Sequence, residues 1–557
     1  MSSLRVLICG LALIVALPSL AQVPFELRPR PSGPYEIRGV VVDAGTGQPL
    51  PEVELSFQES AQPTSPPFEI IQSDANGTFR VRNLAEGKYT IRASRQGYAE
   101  QAFLQHENYW TGIAVGPGKD SLHVRFPLSP SAIITGQVTD ENGEAVREAT
   151  VTLWVHQMEN GVRTVTQGQT AQADDEGRYR LEHLQPWEYS LSVTAMPWYS
   201  RYMQSQQPKE GVLAPLAREA QEALPDVVYA TLYYPNTRDW HGMGWIKLQA
   251  GQTESADFKL IPEPSAHLQV QTGPSDTQPS SNFELMTELP GGGRSNVMYR
   301  GLRTGAGTME ISGVPAGRYR IQMGSGGGNE KETEQEVELS ADSQLRLDGP
   351  TTGGLAIRGV IRVAPGAPKI EQAMLQLKDA EGHSYNSIFY EASGNADNPS
   401  ATFVFSNVPS GQVLRLSFLQ PQDAVVKKIE AKGAEVSGTT IETDGSQEVS
   451  LTVTVAQVSN TLDGTAIKQG KPFAGAMILL MPEDGKDWER FMRRDQSDSD
   501  GTFHLATILP GKYVLFALEN GWYMEWSKPE VLQPFLAKAQ KLQVGEQPLS
   551  AVTLEVQ

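Results

Sequence analysis

Five times along this 557-residue chain the same spacing of apolar residues recurs. In the first copy Phe79, Val81, Leu84, Gly87 and Tyr89 stand at offsets 0, +2, +5, +8 and +10. The others are Tyr179/Leu181/Leu184/Trp187/Tyr189, Met309/Ile311/Val314/Gly317/Tyr319, Phe403/Phe405/Val408/Gly411/Val413 and Phe503/Leu505/Ile508/Gly511/Tyr513. Residues two apart face the same side of a strand, so each copy predicts strand, tight turn, strand over one core. The glycine, replaced once by Trp187, is expected to permit the turn. The recurrent tyrosines Tyr89, Tyr189, Tyr319 and Tyr513 fall where a sandwich buries a ring and bonds its hydroxyl back to a corner. A pattern repeated at this period sets the architecture before any local reading does.

The text around each copy fills out a unit. Unit one opens with the alternating Ile37-Arg38-Gly39-Val40-Val41, turns at residues 43–47, and resumes at Val53 to Phe57. Ser73-Asp74-Ala75-Asn76-Gly77 then reads as a hairpin turn, and Val124 to Leu128 closes the unit. Unit two repeats the order from Ile134, but between Tyr202 and Tyr229 it inserts Leu213, Leu216, Ala220 and Leu224 at helical spacing, flanked by Pro208 and Pro225. Unit three is the most divergent and carries glycine runs at 291–293 and 326–328, read as loops. Unit four restarts at Ile357, and unit five near Val458, with a short helical segment at 529–540. The expected organisation is a leader at 1–21, a Pro-rich linker at 22–34, and sandwiches at 35–129, 131–262, 264–350, 354–455 and 457–557. The fold class is all-β: five tandem seven-stranded sandwiches of the immunoglobulin or transthyretin kind, with small helical inserts in units two and five.

Composition adds location and exclusions. Arg5, the apolar stretch Leu7 to Leu17 and Ser19-Leu20-Ala21 before Gln22 are expected to be an export signal of the Sec type, placing the protein in the periplasm, outside the cell or on its surface. Cys9, the single cysteine, lies inside that leader, so the remaining units must hold by their cores alone. Without Arg5 the chain has 45 basic residues (46 − 1) against 65 acidic ones, a balance that disfavours nucleic acid and anionic membranes. No later segment is apolar enough to span a bilayer.

Catalytic motifs are missing. His156-Gln157-Met158-Glu159, with His267 downstream, is the one His-x-x-Glu, and it follows a strand, where zinc hydrolysis is not expected. Asp174-Asp175-Glu176-Gly177 and Asp498-Ser499-Asp500-Gly501 break the calcium-loop pattern and read as polar turns. No catalytic residue, metal or cofactor is assigned. The one feature suggestive of a ligand is aromatic: Trp187, Trp198, Tyr199, Tyr202, Tyr229, Tyr233, Tyr234, Trp240 and Trp245 fall within 59 residues. Flat rings stack on sugars, anchor interfaces, or pack an insert, and the sequence leaves all three open. Tyr98 with Trp110, and Trp522, Tyr523 and Trp526, are their counterparts in units one and five.

The stretches "IRGVVVDAGTGQPLPEVEL … SDANGTFRVRNLAEGKYTIRASRQGY", "ITGQVTDENGEAVREATVTL … DDEGRYRLEHLQPWEYSLSV" and "SDSDGTFHLATILPGKYVLFALENG" resemble the carboxypeptidase regulatory-like family of transthyretin-type sandwiches, and the related Cna B-type domains. The resemblance implies the fold and carries no active site. Cna B-type domains can form Lys–Asn cross-links; the matching first-strand positions here hold Arg38, Thr135 and Arg358, which departs from that chemistry. The expected function is an exported, non-enzymatic binding or scaffold protein, with a polysaccharide or cell-envelope protein as ligand at the unit-two aromatics. A pure spacer and an accessory subunit of an envelope peptidase or transporter are the alternatives.

Overall fold

The computed structural model describes residues 32–557, except 63, 202–222, 273–281, 306–307, 325–332, 341–342, 348–354, 364–371, 379–383, 391–399, 409–410, 421–423, 444–447, 458–459, 486–487 and 546–548. The expected leader, part of the linker, Tyr202 and most of the insert near 208–224 lie outside the described residues.

Alternation of apolar and polar residues folds each unit into two sheets over a core. Unit one contains β1 (Tyr35–Asp43), β2 (Glu54–Glu59), β3 (Glu69–Gln72), β4 (Thr78–Leu84), β5 (Gly87–Ser94), β6 (Gln101–Ala102), β7 (Ile113–Val115) and β8 (Val124–Leu128). One sheet runs β4-β1-β8; the other runs β3-β2-β5, with β6 and β7 each paired to β5. β1 pairs antiparallel with β4 and parallel with β8. The same scheme recurs downstream. The first strands Ala132–Thr139, Ala266–Thr272, Leu355–Val363 and Leu462–Lys468 each pair in parallel with the closing strand of their own unit. The protein is therefore an all-β repeat of sandwiches, each with its own core; Ile37, Phe57, Leu84 and Phe126 are fully buried in the first. The helical segment of unit five is an α-turn, Pro529–Leu532, continued by a 3-10 helix, Gln533–Lys538.

The repeated motif has a specific physical content. In four units its leading aromatic lies across a glycine of the first strand: Gly39 opposes Phe79, Gly136 Tyr179, Gly359 Phe403 and Gly464 Phe503. A Cβ on Gly39 would stand 2.7 Å from Phe79 Cζ, and on Gly136 2.7 Å from the Tyr179 hydroxyl; at Gly359 and Gly464 the ring is closer still. The ring covers strand backbone that no side chain shields. Unit three uses neither partner: Met309 opposes Val270. Tyr89, Tyr189, Tyr319 and Tyr513 donate their hydroxyls to the carbonyls of Ala85, Gln185, Pro315 and Leu509, at 2.7–3.0 Å, each four residues back.

Two details differ from the sequence reading. The motif glycine is not what makes the turn: Gly87, Gly317 and Gly511 have no left-handed backbone, and Trp187 sits at that position without strain. The left-handed residue is instead the one before the third apolar position, at Asn83 (φ +59), His183 (+58), Gly313 (+80) and Thr507 (+57). At Asn83 it makes a bulge, since Tyr35 pairs with Leu84 while Glu36 pairs with Arg82. Unit four is the exception. There Gly411 does take φ +70, Val413 is 48% exposed, and Leu414 and Leu416 point inward. The turn runs one residue longer, and one residue of slip exchanges the faces of a strand.

Gly464→Ala places a methyl against Phe503 and 2.8 Å from the Val552 carbonyl oxygen, whereas a Cβ at Gly545 meets nothing within 4 Å. Gly464→Ala is expected to lower stability by about 1–3 kcal/mol in urea unfolding, with Gly545→Ala near wild type.

Candidate functional site: the unit-two aromatics and the junction of units one, two and five

The strand and turn geometry of unit two distributes its aromatics over several places. Tyr229 and Tyr233 are buried, at 6% exposure each. Tyr229 and Ile246 belong to the unit core, with Trp187 and Tyr234 packed against it. Burial pushes the Tyr233 hydroxyl up to about 12 and Tyr229 further, so both stay neutral. Neither presents a face to a ligand.

Three partly solvated groups remain. Trp187 donates its indole N–H to the His156 carbonyl. The Trp245 ring lies 3.4 Å from the His156 ring and within 12° of parallel to it. Glu188 stands 3.5 Å from His156 Nδ1. Burial and the charge of Arg163 hold the imidazole below its ordinary pKa. The second group is Trp198, 71% exposed, set edge-on to Tyr199 at 5.7 Å, with the Tyr199 hydroxyl donating to Glu141. The third is Trp240, which stacks 3.7 Å from His241 in a 3-10 turn that Asp239 caps. The structure thus brings Trp187 together with Trp245 and Trp198 with Tyr199, and places Trp240 in a separate group. Among the described residues no group of three or more His, Cys, Asp or Glu is arranged to hold a metal.

A second aromatic assembly joins distant parts of the chain. Strand Arg493–Gln496 is an edge strand of unit five, and residues two apart on it share a face. Arg494 and Gln496 both turn toward unit one. The Gln496 side-chain amide donates to the Leu104 carbonyl (2.7 Å) and Thr111 Oγ1 (2.9 Å), and its oxygen lies 3.0 Å from His106 Nδ1. The His106 ring stacks on Trp522 with 6° between planes, and burial keeps it below its ordinary pKa. The Arg494 side chain is only 5% exposed and binds Glu107 at 2.9 Å and Asn160 at 2.9 Å. Its guanidinium lies 5.1, 5.8 and 5.3 Å from the ring centroids of Tyr109, Trp522 and Trp526. One cation therefore bonds to units one and two from within an aromatic cage.

Around this cation the interface is extensive. The Ser497–Gly501 turn lies along β7: Ser499 N–H donates to the Gly112 carbonyl, Gly112 N–H to Asp498, and Ala114 N–H to Ser499 Oγ. Lys119 pairs with Asp500 at 2.6 Å and Lys88 with Asp498 at 2.5 Å. Burial raises the Asp498 carboxyl despite that lysine, and raises Asp495 to about 6. From unit two, the tip of the hairpin Thr150–Glu159/Val162–Gln172 reaches Trp526: Ser527 Oγ donates to the Gly161 carbonyl at 2.6 Å, and a Cβ on Gly161 would meet the indole at 2.6 Å. The aromatics Trp522 and Trp526 are visible in the sequence; Arg494, Gln496, His106 and Glu107 carry no local signal there.

Units two and three are linked differently. His267 sits between Asp226 (2.8 Å) and Glu310 (2.9 Å). Burial pulls its pKa down, but the hydrogen bonds that Glu310 and Asp226 accept from the ring, with their charges, outweigh this and raise it.

Residues 36–129 and 133–209, the greater part of units one and two, match the family model of the carboxypeptidase regulatory-like domain. No curated protein matches the chain. Among solved structures, a streptococcal ancillary pilin is similar at 14% identity, over 52% of this chain and 98% of that one, with a TM-score of 0.19. The major pilin subunit of Bacillus cereus is similar at 12% identity, over 76% of this chain and 99% of that one, with a TM-score of 0.15. The minor pilin of Streptococcus agalactiae is similar at 9% identity, over 41% of this chain and 97% of that one, with a TM-score of 0.20.

Arg494→Ala leaves Glu107 partly buried without its cation. A loss of about 3 kcal/mol is expected in thermal or urea unfolding, with tryptophan emission shifted to the red as Trp522 and Trp526 meet water. His267 has the opposite pH sign to a buried neutral histidine. Its raised folded pKa gives stability that is full below about 6.5, the unfolded value, and is lost as pH rises through the folded one. Urea midpoints at pH 6 and pH 8 should therefore differ less in His267→Gln than in the wild type.

Proposed function

We propose that this chain is an exported, non-enzymatic scaffold protein of the cell envelope that binds a polysaccharide or an envelope protein through unit two. The regulatory-like match in units one and two, and the sandwich repeat as a whole, support a structural rather than catalytic role. Among the described residues no helix is long and apolar enough to cross a membrane. The leader expected at 1–21 is the basis for export.

The observation that carries the ligand reading is Trp198. It is 71% exposed, and no other described tryptophan is exposed to that degree. That exposed ring area beside Tyr199 supports contact with a sugar or with a partner's apolar side chain. Trp245 and Trp187 around His156 are the second place where rings reach the surface, though His156 covers one face of Trp245.

The test is retention on insoluble polysaccharides and on a glycan array, comparing wild type with Trp198→Ala. Because Trp198 is exposed, the variant is expected to unfold as the wild type does. Retention that falls at least tenfold in the variant supports a carbohydrate site there. Absence of binding by both forms rejects the polysaccharide; co-purification from envelope extract then tests the protein partner.

A further inference from the structure

The face of unit five that seats on units one and two is a pair of unlike, complementary surfaces carried by one chain. On one side are Lys88, Lys119, Glu107 and the edge of β7; on the other are Asp498, Asp500, Arg494 and the Ser497–Gly501 turn. Bonded residues are from 334 (Arg494 and Asn160) to 410 (Lys88 and Asp498, 498 − 88) positions apart in sequence. No disulfide can lock this contact, since Cys9 is the only cysteine. Nothing in the contact depends on both surfaces belonging to the same molecule: every hydrogen bond, ion pair and ring contact is equally available to unit five of another copy.

We propose that this interface also fits a second copy of the chain, unit five of one molecule seating on units one and two of another. Because the two surfaces differ, the contact is head-to-tail, and exchange produces either a closed swapped dimer or a longer row. Within one molecule the units between act as a tether that sets an effective concentration. Closure onto the same chain dominates in dilute solution, and exchange grows with protein concentration. β7 supplies the reason the surface must be covered one way or the other. On the side that unit one itself leaves unpaired, its Ala114 N–H donates to Ser499 Oγ of unit five, and the Gly112 carbonyl just before it accepts from Ser499 N–H; a bare edge strand invites uncontrolled pairing. The inference is independent of the polysaccharide reading, since it involves neither Trp198 nor Trp245.

The experiment uses the cysteine-free mature chain and places one thiol on each side of the Lys119–Asp500 pair. Full-length K119C and D500C chains, distinguished by an affinity tag, are co-refolded from urea at micromolar to millimolar concentrations and oxidised. The two-thiol chain K119C/D500C is the control for closure. The expected result is a tagged–untagged disulfide heterodimer in the mixture. Its share should rise about in proportion to concentration while it is scarce, and fall at least tenfold when Arg494→Glu is added to the D500C chain. An internal disulfide in the two-thiol monomer with no heterodimer at any concentration overturns the proposal, because the contact then forms only within one chain. Lys119 Nζ stands four bonds beyond its Cβ, so where neither disulfide forms a short bismaleimide spanning about 10 Å replaces oxidation; failure of both cross-links overturns the proposal as well, since the interface itself is then absent in solution. A heterodimer unaffected by Arg494→Glu also overturns it, because the link would then report collision and not seating.

Discussion

Each sandwich in this chain is closed by parallel hydrogen bonds between its own first and last strands, and everything else is arranged on that closure. The pairing joins residues far apart in sequence, Gly39 with Val124 in unit one and Gly464 with Val552 in unit five. It forms only once the whole unit is assembled, which makes each unit a cooperative block with its own core. The first strand lies at the centre of its sheet and must accept a neighbour on both sides. The glycine beneath Phe79, Tyr179, Phe403 or Phe503 is the consequence: a ring from the neighbouring strand shields backbone that has no side chain of its own. Unit three, with Met309 on Val270, fills the same space by other means.

The units are not related only as neighbours in sequence. An arginine on an edge strand of the fifth unit bonds to the first and second while three aromatic rings surround it. Burying a guanidinium is costly unless its charge and donors are met. Glu107 and Asn160 take bonds from its two terminal nitrogens and the rings of Tyr109, Trp522 and Trp526 face its charge, while its Nε–H is left without a hydrogen-bond partner; these groups come from three units, so the site is complete only with all three in place. That explains why two of the chain's tryptophans are buried at 0–2% exposure outside the sandwich cores. It also changes how the aromatics of units two and five are understood. Many of the rings that suggest a ligand surface in one dimension are packing in three, while Trp198 and Tyr523 stay largely exposed.

The sequence by itself determined the repeat, the strand–turn–strand pattern and the buried tyrosines whose hydroxyls bond back to a corner, because these depend on spacings of ten residues or fewer; the carbonyls they reach, four residues back, are seen in the structure. The all-β class and the short helical turn near 529–540 were legible for the same reason. It misassigned the role of the motif glycine, since φ at Asn83 or His183 has no local signature, and it placed Val413 inward because Gly411 and Val413 fit the motif's offsets although the inward residues, Leu414 and Leu416, start one position later. Tertiary structure alone decided which aromatics are buried, that Trp187 and Trp245 meet at His156, and that Arg494 reaches Glu107 and Asn160. Those contacts join surfaces up to nearly 400 residues apart. No periodicity within a unit encodes which unit faces which, because that choice follows from the shape and charge of assembled surfaces.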